Sequence, residues 1–405
     1  MNQQFNFLSD GGTTTVQGFQ AGATFAGMKT FTEEKRDLGI LYSELPCTSA
    51  GVFTTNEIIG PSIALTRKHV QLGAVRAVVA NSGIANTVVG EAGRKDALEV
   101  VERTAAQLGL AFEEVGFLST GIIGVELPMA LIRAALPKIQ LSSSGGTSFA
   151  RAIMTTDTHP KEAAISYDYG GRTVIIGGAA KGSGMIHPNM ATMLCTLAAD
   201  AQVDAALLQQ TIKYAADRSF NMITIDGDSS TNDTLMIMAN GAAGGTTITE
   251  ESFEATLFRD AVTELCIHLA KEVVRDGEGV SKLFQVTIER ARNDNDARMA
   301  ARTITNSMLV KTAVHGNDPN WGRIVAALGR SGARVREEKL ALYVNDVCIM
   351  EDGLPIPFFK EAVVLQMQNP DVVFRLDLNL GTATATAWGC NLSEAYVTFN
   401  SAYTT

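Results

Sequence analysis

The residue with the most distinctive chemistry lies in the segment KGSGMIHPNMATMLCTLAAD, residues 181–200. A loop rich in Gly and Pro ends at Ala191, and Thr192 follows ahead of an apolar run. A hydroxyl beside a peptide bond can attack the preceding carbonyl, and hydrolysis of the resulting ester leaves Thr192 as a new N-terminus. Its free amine, with a pKa of about 8, would then act as the base for its own hydroxyl. On these residues alone an ordinary strand threonine is favoured, because Thr is common in strands and self-cleavage is rare.

The same segment suggests two other sites that its spacing argues against. Lys181, Gly182 and Gly184 resemble a phosphate-binding loop, but the lysine precedes the glycines and no GxxxxGK[ST] pattern occurs. His187 is a possible catalytic base. Because it directly precedes Pro188 in a predicted tight turn, a structural role is favoured.

Alternating helix and strand patterns surround this segment and predict a layered α/β protein. Strands are predicted at 75–80, 173–180 and 282–290, with two more in RLDLNL and GTATATAW near the C-terminus; helices are predicted at 94–108, 204–218 and 251–275. The buried stripes of the first and last helices are expected to include Leu98 and Phe253, respectively. SSSGGTS at 142–148 predicts a surface loop.

Composition argues against several classes of protein. The 405 residues carry a net charge of −10, which argues against a nucleic-acid partner. No apolar run has the length of a membrane span, and the N-terminus does not resemble a secretory signal, so a cytoplasmic protein is expected. The five cysteines are dispersed and form no CxxC pair, so we predict no disulfide framework and no metal site.

Eight segments of the sequence resemble the ornithine acetyltransferase family of arginine biosynthesis, in that family's order. KGSGMIHPNMATML resembles its self-processing site. The other seven are NSGIANT (81–87), STGIIG (119–124), MTTDTHPK (154–161), DGDSSTND (226–233), RDGEG (275–279), HGNDPNWGR (315–323) and NSAYTT (400–405). The resemblance covers essentially the whole chain, with no departure at these motifs.

The resemblance implies a fold and a two-chain organisation. The expected fold is an α-β-β-α sandwich similar in arrangement to the N-terminal-nucleophile hydrolases but different in connectivity. Cleavage between Ala191 and Thr192 would give an alpha chain, 1–191, and a beta chain, 192–405, assembled as a heterotetramer with two of each. We expect a smaller α/β subdomain at about 282–380.

The resemblance also assigns roles to individual residues. Thr192 matches the nucleophile, and Thr120 and Gly121 match the pair that stabilises the oxyanion of the acyl intermediate, for which a hydroxyl and a backbone N–H are suitable donors. The positions that match the family's substrate-binding residues are Thr155, Lys181, Thr192, Glu278, Asn400 and Thr405.

The implied reaction is a double displacement that needs no cofactor. Thr192 would take acetyl from N2-acetyl-L-ornithine, and L-glutamate would then accept it as N-acetyl-L-glutamate. The resemblance implies acetyl-CoA as a further donor substrate, although no coenzyme A motif is evident in the sequence. Two alternatives remain open: a self-processing aminopeptidase or amidase with water as acceptor, and a non-catalytic assembly protein.

Overall fold

A computed structural model describes residues 5–29, 35–187 and 193–402. Ala191, Thr192 and Thr405, which the sequence assigns to the site, lie outside these ranges. Within them, no helix combines the length and the apolar character needed to cross a membrane.

The strands and helices alternate through the described residues. The strands are β1 Asn6–Leu8, β2 Phe19–Thr24, β3 Leu38–Ser43, β4 Thr48–Phe53, β5 Ala77–Ile84, β6 Val115–Ile122, β7 Lys161–Tyr169, β8 Arg172–Lys181, β9 Leu194–Ala199, β10 Ile223–Thr224, β11 Thr234–Ala239, β12 Leu283–Ala291, β13 Ala341–Val344, β14 Val347–Glu351, β15 Leu354–Pro355, β16 Asp371–Asp377 and β17 Ala383–Cys390. The α-helices are α1 Pro61–Gln71, α2 Gly90–Leu108, α3 Met129–Ala135, α4 Gly146–Ala152, α5 Ala205–Arg218, α6 Glu254–Arg275, α7 Asp294–Thr305, α8 Met308–His315, α9 Trp321–Gly329, α10 Lys360–Met367 and α11 Glu394–Ala402.

Two of the sheets stack face to face. Among the described residues, the large sheet has the order β1-β7-β8-β9-β11-β4 and the small sheet has the order β2-β3-β5-β6. An apolar core that includes Phe19, Leu41, Leu194 and Met236 fills the space between them. Helices α5 and α6 cover the outer face of the large sheet, and α2 and α3 cover that of the small sheet. This is the predicted α-β-β-α sandwich.

The register of the large sheet relates the two strands that precede and follow the predicted cleavage site. Strand β8 runs antiparallel to β9, with Lys181 opposite Leu194. Strand β9 runs parallel to β11, with Leu194 opposite Thr234. The residues from 182 to 193 therefore connect β8 and β9 at one end of this antiparallel strand pair.

A third sheet, the C-terminal sheet, has the order β10-β17-β12-β16-β13-β14-β15 within the described residues. Helix α7 packs on β12 and β17, and the apolar core beneath it is continuous with that of the large sheet. The subdomain predicted at about 282–380 remains a prediction, and the strands of this sheet continue to Cys390.

Most predicted elements are present, but two buried positions and one loop were wrong. Phe253 precedes α6 and is 95% exposed, and Leu98 on α2 is 42% exposed. The stretch 142–148 is not wholly a loop, because α4 begins at Gly146. All five cysteines are free thiols, and four of them are buried.

Candidate active site

A cavity of about 380 Å³ opens where the sheet edges meet. Its wall contains every sequence-predicted site residue that the structure describes: Thr120, Gly121, Thr155, Lys181, Glu278 and Asn400. Ile186 and Met193, which flank the segment 188–192, also line it. The predicted residues come from distant parts of the chain, so the fold brings together what the motifs suggested separately.

Thr120 and Gly121 lie near the end of β6, where it runs parallel to β5. Gly121 has a φ of +130°, and a Cβ there would lie 2.2 Å from the carbonyl carbon of Gly83. Only glycine fits this backbone, since other residues avoid such a φ and the added atom would collide with β5. The close approach holds the Thr120 side chain and the Gly121 backbone at the cavity wall.

Lys181 ends β8 and is 7% exposed. Its Nζ lies 3.3 Å from Thr120 Oγ1, which accepts the hydrogen bond. Burial lowers the pKa of Lys181, while the charges of Asp157, Asp233 and Glu278 oppose the decrease. An ammonium has three donors, and no hydrogen bond from Nζ to another described residue accompanies the contact with Thr120. The lysine therefore offers donors to an anion in the cavity.

Asp157 holds the backbone around Lys181. Its Oδ1 accepts hydrogen bonds from Gly182 N at 2.7 Å and Lys161 Nζ at 2.5 Å, and its Oδ2 accepts one from Thr155 N at 2.9 Å. Burial by itself would raise the pKa of Asp157, but the charges of Lys161 and Lys181 hold it well below its usual range. Asp157 is therefore a carboxylate that orients the cavity wall.

Lys161 connects this wall to the end of α6. Lys161 Nζ lies 2.6 Å from Asp276 Oδ2, and the side chains of Lys161 and Asp157 are fully buried. Asp276 also accepts a hydrogen bond from Thr158 N at 2.9 Å. Buried charges are tolerated only when paired and hydrogen-bonded, and this network meets both conditions.

Glu278 is fixed from both sides by hydroxyl and amide donors. Thr156 Oγ1 donates to Oε1 at 2.7 Å, and Asn400 Nδ2 donates to Oε2 at 2.9 Å. A Cβ on Gly184 would lie 2.6 Å from the Glu278 carboxyl carbon, so the loop needs glycine at that position to pass the carboxylate. Both Thr155 and Thr156 line the cavity, and it is the hydroxyl of Thr156 that binds Glu278.

Sequence reasoning named DGDSSTND but assigned no site residue in it, and several of its members line the cavity. Asp226 accepts hydrogen bonds from Met185 N at 2.6 Å and Ile186 N at 2.9 Å. Asp233 is 2% exposed, and its Oδ2 has no hydrogen-bond partner among the described residues. Burial raises the pKa of Asp233 well above the usual value. The signal available in the sequence was a dense run of polar residues directly before the buried strand β11.

His187, for which the sequence favours a structural role, contacts a neighbour through each ring nitrogen. Its Nδ1 lies 3.0 Å from Thr224 Oγ1 and its Nε2 lies 3.1 Å from a guanidinium nitrogen of Arg302. Burial, followed by the charges of Arg302 and Lys311, lowers its pKa to about 4. His187 is therefore neutral at physiological pH, and both ring nitrogens are engaged.

Comparison with known proteins identifies the family. The model of the ArgJ family matches residues 20–405. An arginine biosynthesis bifunctional protein ArgJ from Symbiobacterium thermophilum is 48% identical over 98% of this chain and 99% of its own, and one from Dehalococcoides mccartyi is 45% identical over the full length of both. A crystal structure of an arginine biosynthesis bifunctional protein argJ from Bacillus halodurans is 39% identical with a TM-score of 0.50, and the match covers 51% of this chain and 97% of that chain.

The full-length family match and the two full-length relatives agree with the order of motifs along the sequence. The chain therefore belongs to the ArgJ family of bifunctional enzymes of arginine biosynthesis.

Proposed function

We propose that this enzyme transfers acetyl from N2-acetyl-L-ornithine to L-glutamate through an acetyl ester on Thr192. The observation that carries this proposal is the convergence on one cavity of Thr120, Gly121, Lys181 and Glu278, beside the residues that flank the segment 188–192. Met193, which directly follows Thr192 in the sequence, also lines the cavity and supports this proposal.

The first half-reaction forms an ester and releases an amine. Thr192 Oγ1 attacks the acetyl carbonyl, its proton passes to the free α-amine of the same residue, and the oxyanion accepts hydrogen bonds from the Thr120 hydroxyl and the Gly121 N–H. The C–N bond then breaks, and ornithine leaves with the proton on its nitrogen. Each oxyanion donor contributes about 3 kcal/mol to lowering the barrier.

The second half-reaction reverses these steps with a different amine. The α-amine of L-glutamate attacks the ester carbonyl, and a C–N bond forms as the C–O bond to Thr192 breaks. The attacking amine gives up a proton, Thr192 Oγ1 takes up a proton, and N-acetyl-L-glutamate leaves. We further propose that acetyl-CoA acylates the same hydroxyl with release of the thiol.

Substrate charges match those fixed in the cavity. Lys181 offers unused donors to the α-carboxylate that both amino acid substrates carry, and its burial strengthens this attraction. Glu278, held by Thr156 and Asn400, is suited to an amino nitrogen of the substrate. In this proposal Thr155 and Thr405 supply further hydrogen bonds to the substrate.

Cleavage between Ala191 and Thr192 is needed to free the amine. Support comes from the Bacillus halodurans structure. The match covers 97% of that chain but only 51% of this one, so that chain is about half as long as this one. The Ala191–Thr192 bond divides this chain into parts of 191 and 214 residues, which are also close to halves. We propose that two copies of each part form the mature heterotetramer.

Intact-mass spectrometry of the purified protein tests both steps. Wild type should give fragments 1–191 and 192–405, and after brief incubation with N2-acetyl-L-ornithine the second fragment should gain one acetyl group. Thr192→Ala should remain one chain, whereas Thr192→Ser, which keeps a hydroxyl, should still be cleaved. Cleavage of Thr192→Ala at the same bond, or acetylation elsewhere, contradicts the proposed mechanism.

The acceptor is tested by following ornithine release with and without L-glutamate. Transfer predicts that steady release depends on glutamate and that N-acetyl-L-glutamate appears in equal amount. Steady release without glutamate identifies water as the acceptor and would make the enzyme a hydrolase. Release of free thiol from acetyl-CoA in the presence of glutamate tests the second donor.

A further inference from the structure

A second cavity, of about 500 Å³, lies on the other side of the loop that carries His187. One face of α7 supplies Arg298 and Arg302, and the residues after α9 supply Arg330. No Asp or Glu is among the described residues that line it, although the protein as a whole carries ten more acidic than basic residues. We call it the arginine cavity.

Arg302 is the arginine of this cavity whose hydrogen-bond partners among the described residues are all neutral groups. It donates to the carbonyl oxygen of Asn221 at 2.6 Å and to His187, which are both neutral. Among the described residues it forms no ion pair, whereas Arg298 pairs with Asp217 at 3.1 Å. Burial and then the charge of Arg298 lower the pKa of Arg302 to about 10. A largely buried guanidinium without a counter-charge is costly, and a bound anion removes that cost.

We propose that the arginine cavity binds a small anion bearing phosphate groups. The planar guanidinium group of arginine can donate two parallel hydrogen bonds to two oxygens of a phosphate group. Of the converging cations in this cavity, only Arg298 pairs with a carboxylate among the described residues. Such a cluster favours a multiply charged ligand, and the cavity is larger than a single phosphate needs. Asn295, Thr303 and Ser331 add neutral polar side chains around it.

The arginine cavity shares a wall with the candidate active site. His187 borders the former, its neighbour Ile186 borders the latter, and Ser229, which also lines the active-site cavity, donates to the His187 carbonyl oxygen at 2.9 Å. An anion on Arg302 therefore lies next to His187. Its binding does not depend on acetyl transfer, so the two proposals fail independently.

Calorimetric titration of the full-length purified enzyme with inorganic pyrophosphate at low salt tests the site. We expect saturable binding of one pyrophosphate per copy of the 405-residue sequence, whether cleaved or not, weakened roughly tenfold or more by Arg302→Gln and by Arg298→Gln. Arg94→Gln is the matched control, because Arg94 is an exposed arginine on α2 paired with Glu91. Absence of saturable binding, or equal affinity in all three variants, overturns the proposal.

Further variants and an NMR titration distinguish a loss of the binding site from a loss of folding. Arg302→Lys keeps the charge and should retain part of the affinity, and the exposed Arg330→Gln should weaken binding without affecting the core. In NMR titrations, assigned with His187→Gln, pyrophosphate should raise the pKa of His187 from about 4, since an anion offsets the charge of Arg302. A His187 pKa that pyrophosphate leaves unchanged contradicts binding at Arg302.

The source of the phosphate is distinguished by comparing pyrophosphate with 3′,5′-adenosine bisphosphate. Roughly tenfold tighter binding of the nucleotide supports the site as one for a nucleotide-borne ligand, such as the phosphorylated end of coenzyme A. Equal affinities support the site as one for free phosphate or pyrophosphate. Failure of both probes to bind rejects the site.

Discussion

At the scale of single residues, the candidate active site depends on buried charges whose partners are fixed by the backbone. Asp157 is neutralised by Lys161 and by backbone N–H groups, and Glu278 is held by two side-chain donors. Among the residues that the structure describes, Lys181 Nζ donates only to Thr120, and Asp233 Oδ2 accepts no hydrogen bond. Asp157 maintains the shape of the site, whereas Lys181 and Glu278 are the charged groups that the proposed mechanism assigns to the substrate.

Neutralising Lys181 tests the carboxylate site. Lys181→Met keeps the unbranched stem of the side chain but removes the charged nitrogen, so we expect kcat/KM for N2-acetyl-L-ornithine to fall about 100-fold, or roughly 3 kcal/mol, mainly through KM. Lys213→Met, at an exposed position on α5, is the control and should leave the kinetics unchanged. An unaltered KM in Lys181→Met means that the carboxylate binds elsewhere.

Asp200 predicts a pH dependence of stability that is unrelated to catalysis. Burial raises its pKa from 3.8 to about 6, although Ile175 N donates to its Oδ1 at 2.8 Å. Because the folded state holds this proton more tightly than the unfolded state, Asp200 makes the protein less stable as pH rises from about 4 to about 6, and the penalty persists above that range.

Asp200→Asn removes this penalty while keeping an acceptor for Ile175 N. We expect the variant to be about 1–3 kcal/mol more stable than wild type at pH 7 and about equal to it below pH 4. Urea unfolding at a series of pH values measures the difference. A gain in stability that is the same at every pH would show that ionisation of Asp200 is not its cause.

At the scale of secondary-structure elements, the ends of paired strands create the site. Strands β5 and β6 run parallel and approach closely at Gly83 and Gly121, and β8 and β9 bring Lys181 opposite Leu194. Each pair delivers residues to the same edge, where loops complete the cavity. The positions of the predicted oxyanion donors therefore depend on the close approach of two backbones.

Gly121→Ala tests this close approach. The new Cβ would lie 2.2 Å from the Gly83 carbonyl carbon in addition to the strain of a φ of +130°, so we expect a loss of several kcal/mol in unfolding free energy and of transferase activity. Gly124→Ala is the matched control: its φ is +81°, but no atom lies within 4 Å of its Cβ. It should cost only about 1–2 kcal/mol. Similar losses in both variants would attribute the effect to backbone strain alone.

Periodicity in the sequence predicted the elements better than the edges of their buried faces. On α6 the stripe through Val262, Leu265 and Leu269 is buried as predicted, but Phe253 is five positions before Phe258 and so lies about 140° around the helix from it. Leu98 lies about 100° from the buried Ala97 on α2. Apolar residues this far from the centre of a stripe face solvent, whatever their type.

The site was predictable only where a motif carried it. Thr120, Lys181 and Glu278 were found by resemblance, and the structure places them together. The surroundings of Asp233 and Arg302 were not predicted. Those of Asp233 depend on the order of strands in the sheets, and those of Arg302 depend on how α7 packs against the loop at His187. No local pattern encodes that order.

At the scale of the whole molecule, residues 1–191 and 192–405 contribute to the same sheet. In the large sheet β8 pairs with β9 and β4 pairs with β11, so both strands from the second part lie between strands from the first. The buried Lys161 also pairs with Asp276 across the two parts. Neither part can complete the large sheet or its core alone.

The two fragments should therefore remain associated after cleavage. With an affinity tag on the N-terminus, we expect fragment 192–405 to be captured in equimolar amount and released only by denaturant, because separation would expose two β-ladders, a shared apolar core and a buried ion pair. Uncleaved Thr192→Ala should elute from gel filtration at the same volume as the cleaved wild type. If fragment 192–405 instead washes off in native buffer, the shared sheet and the buried ion pair do not hold the two fragments together.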